Sequence, residues 1–251
     1  MSEEWDGPWS PTIAQGVVNN PRILHFTFPP DEGDPDYPFP TVIALVGRID
    51  KPTESSSKAD KDQLVLYAHG YIKPEMKQRL RTANETGLMV TVTASEVDGC
   101  FLAFTPFWNG YNFRSTTING YAHSLSGEEK WEAMQLLMDD FVPGRWEGTR
   151  PTTRAEVDWA AVIRVDIDVS KSHVHTRHSF GTEDEKDLEA GAANKYWEGA
   201  IPLWRTCGSP IPGPNNKTEV PEHVRRYVET NSEPNEVFSK KIALEGYHPS
   251  R

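Results

Sequence analysis

Cysteine is scarce. The chain carries two, Cys100 and Cys207, far apart and outside any C-x-x-C pattern. That excludes a disulfide framework and points to a reducing compartment; Cys100 reads as an ordinary buried thiol. Long apolar runs are missing too: no stretch approaches the roughly 20 residues a membrane helix needs. The first residues, MSEEWDGPWS, lack a basic segment followed by an apolar one. No secretory signal is therefore expected, and the expected location is cytoplasmic. Asn84-Glu85-Thr86 and Asn216-Lys217-Thr218 then read as chance glycosylation matches. Positive charge is in deficit, with 26 Lys and Arg against 37 Asp and Glu and a formal net charge of −11. Phosphate-backbone binding needs a basic footprint, so the expected partner is a small molecule, with no nucleic acid and no membrane.

What is present is strand. Ile23–Phe28, Thr41–Ile49 and Gln63–His69 are apolar or β-branched runs. The loop 50–62 between the last two is charged and Ser-rich, and reads as mobile. Pro74 should open a short helix after the His69-Gly70 strand end, since proline is accepted in a first helical turn. LMVTVTAS (88–95) and CFLAFTPF (100–107) read as two strands joined by a hairpin at Asp98-Gly99. Asn112–Leu125 is a further strand. Ser126 should cap a helix, with Glu129 at the capping-box position and an apolar stripe of Trp131, Met134, Met138 and Phe141. A second helix is expected over Thr153–Trp159, then a half-buried strand over Ala161–Val169. A short helix should occupy PEHVRRYVET (221–230). Hairpin signals dominate and βαβ alternation is absent, which predicts a mainly β fold, an antiparallel barrel with peripheral helices.

Several stretches fall in a telling order: LYAHGY (66–71), GLMVTVT (87–93), DGCFLAFTPFWNGYNFRSTTINGYA (98–122), VPGRWEGTRPTTRAEV (142–157), VIRVDID (162–168) and WEGAIPLW (197–204). This order resembles the FMN-binding split barrels related to pyridoxamine 5′-phosphate oxidase. Within them it is similar to the nitroimidazole-resistance (Nim) group, with the wording of a fungal-type branch, over roughly residues 20 to 215. The resemblance implies a six-stranded antiparallel Greek-key split β-barrel at residues 22–215, between an N-terminal arm (1–21) and a C-terminal tail (216–251). It implies a homodimer with FMN in two interface clefts. His69 falls at the family's cofactor or substrate cleft. Asn112, Arg114 and Ser115 match the strand facing the flavin phosphate and ribityl chain, and Trp197, Gly199 and Pro202 match a segment near the interface. Gly70, Lys73 and Lys77 complete the expected cofactor-binding set. At the helix start, where the family carries Gly or Ser and then Arg or Lys, this chain reads Pro74-Glu75. A carboxylate there repels a phosphate, Pro74 removes a backbone donor, and Lys73 and Lys77 flank the position.

The first functional expectation is an FMN-dependent oxidoreductase acting on a small organic substrate. The alternative is a cofactor-free isomerase, cyclase or lyase of secondary metabolism, with His69 as acid/base and His173 or His175 assisting. A further alternative is a non-catalytic flavin or haem carrier. His69 has a bland reading as a histidine hydrogen-bonded in a turn, and Arg114 as a barrel arginine paired with an acid. Tyr71, Trp108, Tyr111 and Phe113 are read either as walls for a flat ligand or as core and interface. His173, His175 and His178 share a strand end, but no carboxylate or cysteine stands at ligand spacing, so no metal is expected.

Overall fold

The computed structural model describes residues 3–20, 23–30, 38–58, 60–83, 85–181, 185–189 and 191–245. The chain forms two compact units: residues 8–94 with 116–173, and residues 1–7 with 95–115 and 174–251.

The first unit holds the barrel. Strands β2 (Leu24–Phe28), β3 (Thr41–Asp50) and β4 (Val65–His69) form one antiparallel meander. After β4, helix α2 (Pro74–Thr82) leads to β5 (Leu88–Leu102), followed by β6 (Gly110–Ser124) and β7 (Val162–Ile167). β4 pairs with β7, β2 with β5, and β5 with β6, which closes a ring of six strands. This is the split barrel. Alternation explains its core: Leu24, Phe26 and Phe28 are buried while the residues between them are not. β4 is buried on both faces. Val65 and Tyr67 pack with Ala133, Met134 and Leu137 of α3 (Gly127–Phe141) and with Val157 of α4 (Arg154–Trp159), while Leu66 and Ala68 lie on the opposite face. Ahead of the barrel, α1 (Pro11–Val18) buries Ile13, Ala14, Val17 and Val18.

The second unit contains the far half of β5, the near half of β6, β1 (Glu3–Pro8), β8 (His173–His178), β9 (Gly199–Pro202), and helices α5 (Glu185–Glu189) and α6 (Glu222–Glu245).

Four expectations need correcting. Asp98 and Gly99 make no hairpin; they lie inside the continuous 15-residue β5, and Gly99 pairs with Pro202. A buried Asp98 carboxylate gripping Arg114 outweighs the local turn preference of Asp-Gly. Ser126 precedes α3 but makes no side-chain cap, and Glu129 turns inward to Arg164. The capping box stands instead at α4, where Thr153 Oγ1 accepts from Glu156 N and Glu156 Oε2 accepts from Thr153 N. The described part of the Ser-rich loop is tied down: Ser55 donates twice to Glu132, and Ser56 Oγ donates to Glu129 at 2.6 Å. Finally, the C-terminal helix runs 24 residues, far beyond the segment 221–230.

Candidate active site

β4 places the site's histidine by period-2 geometry. His69 shares a face with Val65 and Tyr67, so it emerges on the side covered by α3 and α4. At the strand end that helix layer opens into a cavity of about 750 Å³. Its wall is mostly apolar, with Met134 and Met138 from α3, Val157 and Trp159 from α4, and Trp146 from the connection between the two helices. Trp146 is held by an edge-on contact with Trp131 (centroids 5.3 Å apart) and by its backbone N donating to Asp139 at 3.2 Å. A site of this size suits a drug-sized or cofactor-sized molecule.

His69 is oriented. Its Nδ1 lies 2.9 Å from Ala161 O. A carbonyl oxygen only accepts, so Nδ1 carries the proton, and Nε2 is the nitrogen left for a ligand. Two arginines stand on the cavity wall. Arg150 grips Glu156, whose carboxyl that contact pushes down to about 2, with help from the Thr153 backbone and hydroxyl. Arg145 has no carboxylate partner among the described residues and is exposed. The cavity thus offers aromatic and thioether walls, one fixed imidazole nitrogen and one guanidinium for an anionic substituent.

The other expected site residues fall in several places. Gly70 follows His69 at the rim, where a Cβ would meet Leu45 Cδ2 at 2.9 Å. Lys73 is the exposed N-cap of α2, with Glu75 in the first turn. Lys77 lies one turn on, its ammonium 5.8 Å from the Trp159 ring centroid. In the second unit, Asn112 is fully buried, donating to Ser179 O and accepting from Ser179 N. Arg114 is buried, forks onto Asp98 at 2.8 and 2.7 Å, and is covered by the Phe238 ring at 4.3 Å. Ser115 Oγ donates to His175 O at 3.3 Å. His173 is exposed, and His175 packs edge-on against Phe113. Neither lines the His69 cavity. Trp197 is 65 % exposed, with its ring against Gly199.

Sequence reasoning did not single out Arg145, Trp146, Met134 or Trp159 as site residues. The signal available was the stretch VPGRWEGTRPTTRAEV, which the resemblance quoted without giving its residues a role.

A closed antiparallel ring with a His-Gly strand end beside a helix-covered cavity defines a split-barrel protein. The chain belongs to the pyridoxamine 5′-phosphate oxidase family, whose profile matches residues 46–171. No curated protein matches it by sequence. Among solved structures it resembles the FAD and heme binding protein from Mycobacterium smegmatis (19 % identity, TM-score 0.68, covering 89 % of this chain and 97 % of that one). It also resembles the flavocytochrome Anf3 from Azotobacter vinelandii (22 % identity, TM-score 0.63, 90 % and 91 %). A putative 5-nitroimidazole antibiotic resistance protein from Bacteroides thetaiotaomicron is similar at 15 % identity and TM-score 0.44 over 70 % of this chain and 91 % of that one. At these identities the first two likenesses are ones of fold.

Proposed function

We propose that the protein is a flavin-dependent oxidoreductase whose His69 cavity receives a flat, largely apolar organic substrate. The observation that carries the proposal is the fixed imidazole at the rim of a family barrel, facing a mostly apolar cavity of about 750 Å³. A bound flavin supplies the hydride chemistry. The residues here fit a flavin nucleotide in part. Lys73 at the start of α2 would hold its phosphate, whereas the Arg114 fork is occupied by Asp98 and Asn112 by Ser179. The chain's own contribution is orientation. Trp146, Trp159 and the two methionines exclude water from the substrate's apolar face. Arg145 anchors an anionic substituent. His69 Nε2, held by the Nδ1 contact, accepts or returns a proton at the substrate.

One observation favours a second reading, a haem in the same cavity. A ring nitrogen bonded to a backbone carbonyl is the usual support of a metal-ligating histidine, because it fixes the tautomer and points the other nitrogen outward. Relatives in fold are described as an FAD and heme binding protein and a flavocytochrome. Under this reading His69 Nε2 would bind the iron and Arg145 a propionate.

The visible spectrum of the purified protein, and of the apoprotein titrated with FMN, FAD and hemin, is the test. A flavin absorbance released on denaturation is the expected result. A haem band lost in His69→Ala would support the second reading. A colourless protein that binds none of the three would overturn both and leave His69 to cofactor-free acid–base chemistry.

A further inference from the structure

A second cavity, of about 440 Å³, lies in the barrel unit and shares Ala160 with the first. Its character is opposite. The charged groups on its wall are Lys77 and Arg81 of α2, Lys130 of α3, His123 of β6, and a single carboxylate, Asp158. His123 is already committed, its Nε2 3.5 Å from Asp166 Oδ2. Three cations therefore face one anion.

Lys130 is the unusual member. It is only 7 % exposed, and among the described residues its ammonium makes one hydrogen bond, to Asp158 O at 2.9 Å. An ammonium has three protons, and burying one with two unused is costly unless something else accepts them. Burial pulls its pKa below the ordinary lysine value. Asp158 offsets part of that, and the charges of Arg81 and Lys77 lower it further. The cluster repels itself as it stands. Lys77 and Arg81 are four residues apart on α2, so both reach the same side of the helix. Ser126 at the start of the 15-residue α3 also lines the cavity, so that helix's positive end acts in the same sense. Gly87 leaves room beside the His123 ring: its φ is +89°, and a Cβ there would lie 2.8 Å from His123 Cε1. A purely structural Lys130, tying α3 to the end of α4, would account for the one hydrogen bond but gives no reason for two further cations around the same space.

We propose that this cavity is an anion site that takes a phosphate group, with Lys130 as the buried donor and Lys77 and Arg81 as flanking clamps. The phosphate is that of a phosphorylated small molecule other than the flavin. The site itself does not depend on the flavin reading.

The test is calorimetric titration of the protein with inorganic phosphate at fixed ionic strength, before and after loading with FMN or riboflavin. One saturable site per chain is expected. Affinity should fall about tenfold or more in Arg81→Gln and in Lys77→Gln, and further in Lys130→Met, since each removes a charge-assisted contact. Lys171→Gln, a control on an exposed lysine, should leave it unchanged. Phosphate should also raise the melting temperature of the wild type more than that of Arg81→Gln. If Lys130→Met does not fold, the two α2 variants carry the comparison. Binding abolished by FMN but not by riboflavin would make this the flavin's own phosphate site and overturn the proposal. Binding that survives both is the expected result. Absence of saturable binding, or binding untouched by Arg81→Gln and Lys77→Gln, overturns the proposal.

Discussion

At the scale of the residue, the functional argument rests on two nitrogens of one ring. Nδ1 of His69 is spoken for by Ala161 O, so whatever chemistry the ring performs passes through Nε2. Glutamine has similar reach and hydrogen-bonding capacity but cannot titrate. His69→Gln is therefore expected to preserve circular dichroism while lowering turnover by about 100- to 10,000-fold if the imidazole moves a proton in the slow step. His25→Gln, on an exposed β2 position, should leave the rate unchanged. Full activity in a folded His69→Gln protein would remove the residue from the mechanism. Arg145 has a different signature. An anchor that binds ground and transition states alike affects KM alone, so Arg145→Gln should raise KM with kcat nearly constant. A fall in kcat at constant KM would instead give Arg145 a role in the reaction itself.

At the scale of the element, one ionic network joins β7, α3 and the Ser-rich loop. Arg164 Nη1 donates to Glu129 at 2.5 Å and to Ser56 at 3.0 Å, while its Nε donates to Asp166 at 2.8 Å. Both Arg164 and Glu129 are buried, so removing one strands the other. Glu129→Ala should cost about 3 to 5 kcal/mol in denaturant unfolding. The double replacement Glu129→Leu with Arg164→Met should recover much of that; a loss in the double variant equal to the sum of the two single losses would show that the pair is not coupled. Asp166 adds a pH dependence. Burial opposes its ionisation, but the hydrogen bonds from His123 and Arg164 and the charges of Arg164 and Lys58 outweigh it, holding the carboxyl well below its ordinary value of 3.8. A depressed folded pKa stabilises fully above the unfolded value and loses that contribution as pH falls below it. Asp166→Asn should therefore cost stability at pH 6 and cost less near pH 2, read by urea midpoints at both. A constant cost across that range would show the carboxylate's charge to be irrelevant.

That network also marks the limit of what sequence reveals. The barrel was legible because period-2 runs and a Pro-opened helix are local signals, and the His69-Gly70 strand end stood out on them. Glu129 was misread as a cap because its sequence position fits one. Its real partner, Arg164, is 35 residues away and meets it only once β7 has docked. Asp98-Gly99 was misread for the same reason, its carboxylate being held by Arg114 across the sheet. The cavity wall was hidden because Met134, Trp146 and Trp159 come from three segments whose convergence no local pattern encodes.

At the scale of the molecule, the exposed apolar side chains point to self-association. In the second unit Phe107 is 81 % exposed, Tyr111 60 %, Tyr196 62 % and Trp197 65 %. Large aromatics exposed to water are costly and are enriched at the buried centres of interfaces. Phe107 lies in the β5–β6 connection and Tyr111 at the start of β6; Tyr196 and Trp197 lie in the segment leading into β9, which the resemblance places near the family's dimer interface. A homodimer is the expected state, since a closed two-fold contact covers such side chains with a second copy of themselves. Light scattering at micromolar concentration should give twice the chain mass of 28.3 kDa. Trp197→Glu, which puts a charge where burial is expected, should shift the mass toward monomer without changing the circular dichroism of the barrel. Should the wild type run as a stable monomer at that concentration, those aromatics need another partner, and a flavin site shared between two copies could not form.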